Sequence, residues 1–170
     1  VYSQEHVRLE DKVIFPVSLV SGEAKAVLIT DQTWMAEKNP LRENYEHVVE
    51  LTAFTAAKTA DFILDAKGAS KNTYEPTFAP IELGAWEPVF GRDFSGDVCY
   101  RSSFSLETGL SGNVLIDLGK VEHTARVLVN GKPAGVAVAY PMVVIADAEL
   151  FTVGKNVIDI IVSNTASNQY

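Results

Sequence analysis

Residues 124–140 read Thr124-Ala125-Arg126-Val127-Leu128-Val129-Asn130-Gly131-Lys132-Pro133-Ala134-Gly135-Val136-Ala137-Val138-Ala139-Tyr140. Two runs with β-branched residues flank an Asn-Gly pair. That pair is the strongest short hairpin signal, because a two-residue type I′ turn needs positive φ at both central positions. The reading predicts strands over Thr124–Val129 and Ala134–Tyr140. Pro133 and Gly135 predict a bulge or a short edge just past the turn. Outward from this hairpin the pattern repeats. Cys99 to Leu106 alternates, with Tyr100 opposing Arg101 and sharing its side with Phe104 and Leu106. Val114–Leu118 and Met142–Ile145 read as further strands. Gly154-Lys155-Asn156 reads as a turn before Val157–Ser163, whose nearly continuous aliphatics predict cover on both faces.

The first half carries weaker signals. Val13–Val20 and Ala26–Thr30 read as strands around a Ser21-Gly22-Glu23 loop, and Asn39-Pro40 breaks the chain. Leu41–Leu64 fits either a helical face or an alternating strand; its Thr and β-branched content favours strands. Asp65–Asn72 is expected to be a polar loop, continued irregularly through Pro76 and Pro80. Strands at spacings of about 8–12 residues imply an all-β antiparallel sandwich or jelly roll. Two stretches follow: 1–80, strand-rich and either part of the same sandwich or of a preceding domain, and 81–170, the sandwich itself.

Composition narrows the function classes. The chain has 170 residues, 47% hydrophobic and 21% charged, with a formal net charge of -8. Counterion displacement from nucleic acid needs clustered positive charge, which is missing, and the same balance opposes docking on an anionic membrane. No run reaches the roughly 18 apolar residues of a helical span. With one cysteine, Cys99, neither an intrachain disulfide nor a four-cysteine zinc site can form. The opening Val1-Tyr2-Ser3-Gln4-Glu5 lacks Met and a signal pattern, as expected of a processed chain or a piece of a longer one.

Phe94-Ser95-Gly96-Asp97-Val98-Cys99-Tyr100-Arg101-Ser102-Ser103-Phe104 resembles the "SG-x-x-x-YR-x-x-F" strand of the sugar-binding-type, galactose-binding-like sandwich in large glycoside hydrolases. Asp117-Leu118-Gly119-Lys120-Val121 through Ala125, Val127 and Val129-Asn130-Gly131 is similar to that family's "DLG-x-V-x-x-x-A-x-V-x-VNG" run. Gly154-Lys155-Asn156 with Ile158, Ile160 and Val162 matches its closing strand, and Ser163-Asn164-Thr165-Ala166-Ser167-Asn168 resembles the ending of the α-L-rhamnosidase-like group. The likeness covers roughly 81–170. Pro141-Met142-Val143-Val144-Ile145-Ala146-Asp147 departs from the usual aromatic and Asp-Ile-Thr element. The resemblance implies a module that accompanies the catalytic barrel of β-galactosidase- and β-glucuronidase-type enzymes, with the catalytic carboxylates on the barrel; a similar sandwich occurs in bacterial α-L-rhamnosidases. It further implies a bacterial parent, with an adjacent catalytic domain and carbohydrate as partners; the acidic balance suits an extracytoplasmic (periplasmic or secreted) protein.

The residues themselves add little chemistry. Gly109-Leu110-Ser111-Gly112-Asn113 lacks the last glycine of a hydrolase elbow. Cys99 reads as a buried, inert thiol. His6, His47 and His123 are widely separated. Asp147 and Glu149 would share a strand face and offer oxygens to calcium, but a solvated loop is favoured. Asp93 with Asp97, and Glu82 with Glu87, carry no more weight than solvated carboxylates in an acidic chain. No catalytic residue, metal ligand or cofactor is therefore expected. Sugars stack their C–H faces on aromatic rings and take hydrogen bonds from charged side chains. Trp86, Arg92, Asp93 and Tyr140 are the carbohydrate-binding candidates, with Trp34 beside Asp31 and Gln32 as a further platform; a core or interdomain role competes for each ring. An adhesion or protein-interaction sandwich without sugar affinity is the alternative reading.

Overall fold

The computed structural model describes residues 7–9, 12–14, 16–17, 45–46, 49–66 and 68–164. In it the Asn-Gly turn has the backbone its residues demand: Asn130 φ is 51° and Gly131 φ is 77°. The turn joins β8 (Thr124–Val129) to β9 (Lys132–Ala137). Their register shifts between Val127 and Leu128, so the bulge expected beside Pro133 and Gly135 is present. Eleven strands are described. The others are β1 (Val7–Leu9), β2 (Lys12–Ile14), β3 (Phe54–Asp65), β4 (Gly68–Thr73), β5 (Ala79–Ile81), β6 (Gly96–Leu106), β7 (Asn113–Asp117), β10 (Val143–Asp147) and β11 (Gly154–Ser163). A four-residue helix, α1 (Glu87–Phe90), and a 3-10 turn (Ala148–Leu150) complete the set.

Seven strands form one sheet in the order β4-β3-β6-β11-β8-β9, with β5 also on β3. Every pairing in it is antiparallel. Strands from both sides of residue 80 therefore share this sheet. β7 and β10 form a second, two-stranded sheet. Met142 and Val144, with Ile116 and Leu118, pack against Val98, Tyr100, Val127, Val129, Ile158 and Val162 of the large sheet. Two facing antiparallel layers around one apolar core make an all-β sandwich. β1 and β2 pair with each other.

Alternation explains the core. On β6, Val98, Tyr100, Ser102 and Leu106 are buried while Arg101, Ser103 and Ser105 are exposed. β11 lies between β6 and β8, and its second face, through Val157, Asp159 and Ile161, is half-buried, which accounts for its near-continuous aliphatics. The expectation of a polar loop over Asp65–Asn72 is wrong. Gly68–Thr73 is β4, paired with β3 from Ala60↔Thr73 to Asp65↔Gly68. All six of its residues are exposed, so it has no apolar period to announce it. In Leu41–Leu64 the strand preference holds from Phe54 onward. Of the run Val13–Val20, residues 13–14 belong to β2 and 16–17 are irregular. The remainder of that run, Ala26–Thr30 and Asn39-Pro40 lie outside the described residues.

Two buried asparagines fasten the central strands. Asn156 is fully buried; its Nδ2 donates to the Thr152 and Gly154 carbonyls, at 2.7 and 3.0 Å. Its Oδ1 accepts from Thr152 N and Asn130 Nδ2, both at 2.9 Å. At the other end Asn164 Oδ1 accepts from Gly96 N at 2.6 Å, and its Nδ2 donates to Phe94 O at 2.9 Å. Gly96 also lets β3 pack close: any Cβ there would strike the Ala60 carbonyl. Asn156→Ala would remove four part-buried hydrogen bonds at once and leave a gap in a fully buried position. It should lower unfolding free energy by about 2–4 kcal/mol, read as a lower urea midpoint with an unchanged slope. A loss below about 1 kcal/mol would mean the clasp adds little.

Candidate functional site

The sheet register sorts the loops into two ends. β6 and β8 begin, and β9 and β11 finish, at one end, shown by Ala125↔Ala137, Ser163↔Thr124 and Ser163↔Asp97. Residues 91–95, 118–123 and 138–142 connect there. The sequence candidates Arg92, Asp93 and Tyr140 all fall at this end, just after Trp86 in the first case. Arg92 and Asp93 are exposed. Tyr140 is 39% exposed, its hydroxyl donates to Gly119 O at 3.5 Å, and its bond to Pro141 is cis. Trp86 has a different situation. It is half-buried, its Nε1 donates to the Tyr100 hydroxyl, and its ring lies 6.0 Å from Phe90 and 5.5 Å from Phe94. Its edge is thus held inside an aromatic cluster that caps the core. Trp34, Asp31 and Gln32 lie outside the described residues.

The opposite end holds a cleft of about 540 Å³ lined by Gly109–Asn113, Asp147, Glu149 and Phe151. Here the Asp147 carboxylate caps the 3-10 turn by accepting from Glu149 N at 2.9 Å. No group of three or more His, Cys, Asp or Glu able to hold a metal occurs among the described residues. Ser111 sits in this cleft. His123 is half-buried before β8; His6 and His47 lie outside the described residues.

Other polar candidates are used internally. Asp97 is buried and receives Lys71 Nζ at 2.6 Å and the Ser163 hydroxyl, so it ties β4, β6 and β11 together. Asp93, Glu82 and Glu87 are exposed. Arg101 grips Asp159 with two hydrogen bonds, at 2.7 and 2.9 Å, and stacks 4.2 Å over Phe78. That pair raises the arginine pKa further above its ordinary value.

One group of residues was not singled out by sequence. Lys58, Asp61 and Tyr74 line a groove of about 530 Å³ between β3, the connection 74–81 and α1. Tyr74 is 46% exposed and donates its hydroxyl to Asp61 Oδ2 at 2.8 Å. That hydrogen bond, then burial and the carboxylate charge, raise the Tyr74 pKa. The one available signal was a pair of charges in the otherwise apolar run Ala56-Ala57-Lys58-Thr59-Ala60-Asp61-Phe62.

No family model matches this chain, and no curated protein matches it. Among solved structures it is similar to a rhamnosidase from Novosphingobium sp. PP1Y, with 25% identity and a TM-score of 0.54. That alignment covers 77% of this chain and 12% of the rhamnosidase. It also aligns with a β-D-glucuronidase from Dictyoglomus thermophilum, at 19% identity and a TM-score of 0.44, over 71% of this chain and 21% of the other. These structural neighbours are glycoside hydrolases, and this chain spans only a small part of either.

Cys99 is 5% exposed on the sheet face opposite the core layer, and burial, then the Asp159 charge, push its pKa up to about 11. Raised from 9.0, it depletes thiolate about a hundredfold at neutral pH. A protonated thiol favoured by the fold contributes its stability below the ordinary thiol pKa, and that contribution fades as pH climbs toward 11. At pH 8 a thiol-specific disulfide reagent should react with Cys99 only as fast as the chain unfolds, and readily in urea. Prompt native-state labelling would contradict the inert assignment.

Proposed function

We propose that this chain is a non-catalytic accessory module of a bacterial, extracytoplasmic glycoside hydrolase. It braces the adjacent catalytic domain and contacts carbohydrate. The observation that carries the reading is the alignment of most of this chain with about an eighth of a rhamnosidase. A sandwich that occupies so small a share of a large hydrolase has the proportions of an appended module. The internal use of Asp97 and the simple capping role of Asp147 support a chain without hydrolytic chemistry of its own.

The sugar contacts are assigned to the loop end that carries Arg92, Asp93 and Tyr140, where an exposed guanidinium, an exposed carboxylate and a partly exposed phenol ring share one end of the sandwich. Trp86 serves there as the internal support of that end. The alternative, protein contact without sugar affinity, has one observation in its favour. Val136 on the outer strand β9 and Val138 just beyond it are 60% and 70% exposed. Such an edge also suits the bracing role.

The expected behaviour is retention of the purified chain on immobilised arabinogalactan or rhamnogalacturonan, reversed by soluble fragments of the same polymer. Replacing Arg92 and Asp93 together by alanine should weaken retention several-fold. Hydrolysis of 4-nitrophenyl glycosides should be undetectable. Retention that free sugar does not reverse, or none, favours protein contact. Turnover abolished by replacing one carboxylate would make the chain an enzyme.

A further inference from the structure

On β3 two charged side chains, Lys58 and Asp61, occupy the face that elsewhere holds the core. In a regular strand, residues three apart point to opposite faces. Here the register of β3 on β6 shifts between Lys58 and Ala60. Lys58 pairs with Val98 and Asp61 with Gly96, two positions apart on β6 and so on one face. The bulge has therefore turned Asp61 to the same side as Lys58, the re-aiming that bulges perform at strand edges. Asn72 pairs with Asp61 on β4, which brings Tyr74 round to the same side.

The three residues meet in the groove of about 530 Å³, within the usual size of small-molecule sites, about 300–1,000 Å³. Ile81 and Phe90 supply apolar wall, and Glu75 lies at the lining too. Tyr74 satisfies Asp61 Oδ2. Asp61 Oδ1 is buried and has no hydrogen-bond partner among the described residues. A buried carboxylate oxygen without a donor is costly and holds the group as a strong acceptor, while its Oδ2 side, where Tyr74 donates, is exposed and open to a further O–H or N–H group. Lys58 Nζ stands 4.3 Å from the Phe94 ring centroid, a weak hold that leaves it able to donate to a ligand oxygen.

A ligand that gives a proton donor to Asp61, takes one from Lys58 and lays C–H surface on Tyr74 and Ile81 is a polyhydroxylated ring. We propose that this groove is a saccharide subsite in which the Asp61 carboxylate accepts a ring hydroxyl, flanked by Tyr74 and Lys58. The inference rests on the carbohydrate-contact reading above and adds to its loop-end contacts a second, separate subsite. Tyr74 acts as the positioning residue, fixing the carboxylate through Oδ2 at the exposed margin of the groove.

The test uses the full chain, isotope-labelled and titrated with L-rhamnose and with D-galactose, alongside retention on the polysaccharide columns. The expected result is amide shifts over 56–61 and 74–81, with Asp61→Asn weakening binding about tenfold, as loss of a hydrogen bond to a charged acceptor implies. Tyr74→Phe should weaken it less, and Ser111→Ala, at the far end, should bind as the parent does. If Asp61→Asn does not fold, the shift map and Tyr74→Phe decide. Shifts confined to Arg92, Asp93 and Tyr140, or retention indifferent to Asp61→Asn, overturn the subsite and leave the carbohydrate reading standing. No shift and no retention overturn both. Shifts over 56–61 with n-butylammonium, and none with either sugar, overturn it in favour of an amine.

Discussion

The buried side chain of Asn156 is the constraint on which the sandwich depends. It sits at the start of β11, the strand flanked by β6 and β8 at the middle of the large sheet. Its amide holds the turn before it through Thr152 and Gly154, and reaches across to Asn130. Asn130 in turn accepts from Val157 N and donates to the Leu150 carbonyl. The left-handed backbone of the β8–β9 turn, the register of β8 on β11 and the loop from the second sheet are thereby set by one connected group. Fully satisfied networks of this kind specify a single arrangement in a way that apolar contact does not. Asn164 and Gly96 do the same at the far end, where β6 and β11 leave the sheet.

This explains what was legible in the residues. The Asn-Gly pair demanded one turn type, and the alternation of Val98, Tyr100 and Ser102 against Arg101 and Ser103 demanded one buried face. Both are local and physical, and both strands appeared near the expected bounds. β4 was illegible because an edge strand exposed on both faces has no period. The β3 bulge was illegible because an added residue is visible only when a partner strand is laid beside it. The loop candidates were legible as residue types but not as geometry. Trp86 reads the same whether its ring faces solvent or, as here, Phe90 and Phe94.

The motif residues that carry the resemblance to hydrolase sandwiches are the same fasteners. Gly96 lets β3 approach, Asn130 and Asn156 form one clasp, Asn164 forms the other, and Tyr100 receives the Trp86 indole. Each is explained by folding, with no ligand needed. The motif therefore argues for architecture, and architecture alone does not assign chemistry. The likeness to part of a rhamnosidase supplies context of the same kind. What the module touches has to be argued from side chains the fold does not consume.

By that criterion most polar groups drop out. Asp97, Arg101, Asp159 and Asp147 are each committed to a strand or a turn. Arg92 and Asp93 stay exposed at the loop end. Asp61 is different in kind, because its position costs the fold something: a bulge turns a carboxylate to the core-bearing face of the sheet, and only one of its oxygens finds a partner. An unmet buried acceptor beside a half-exposed phenol is a feature that folding alone does not reward. It makes the bulged margin of β3 the place where the scaffold carries a polar group that its packing does not explain.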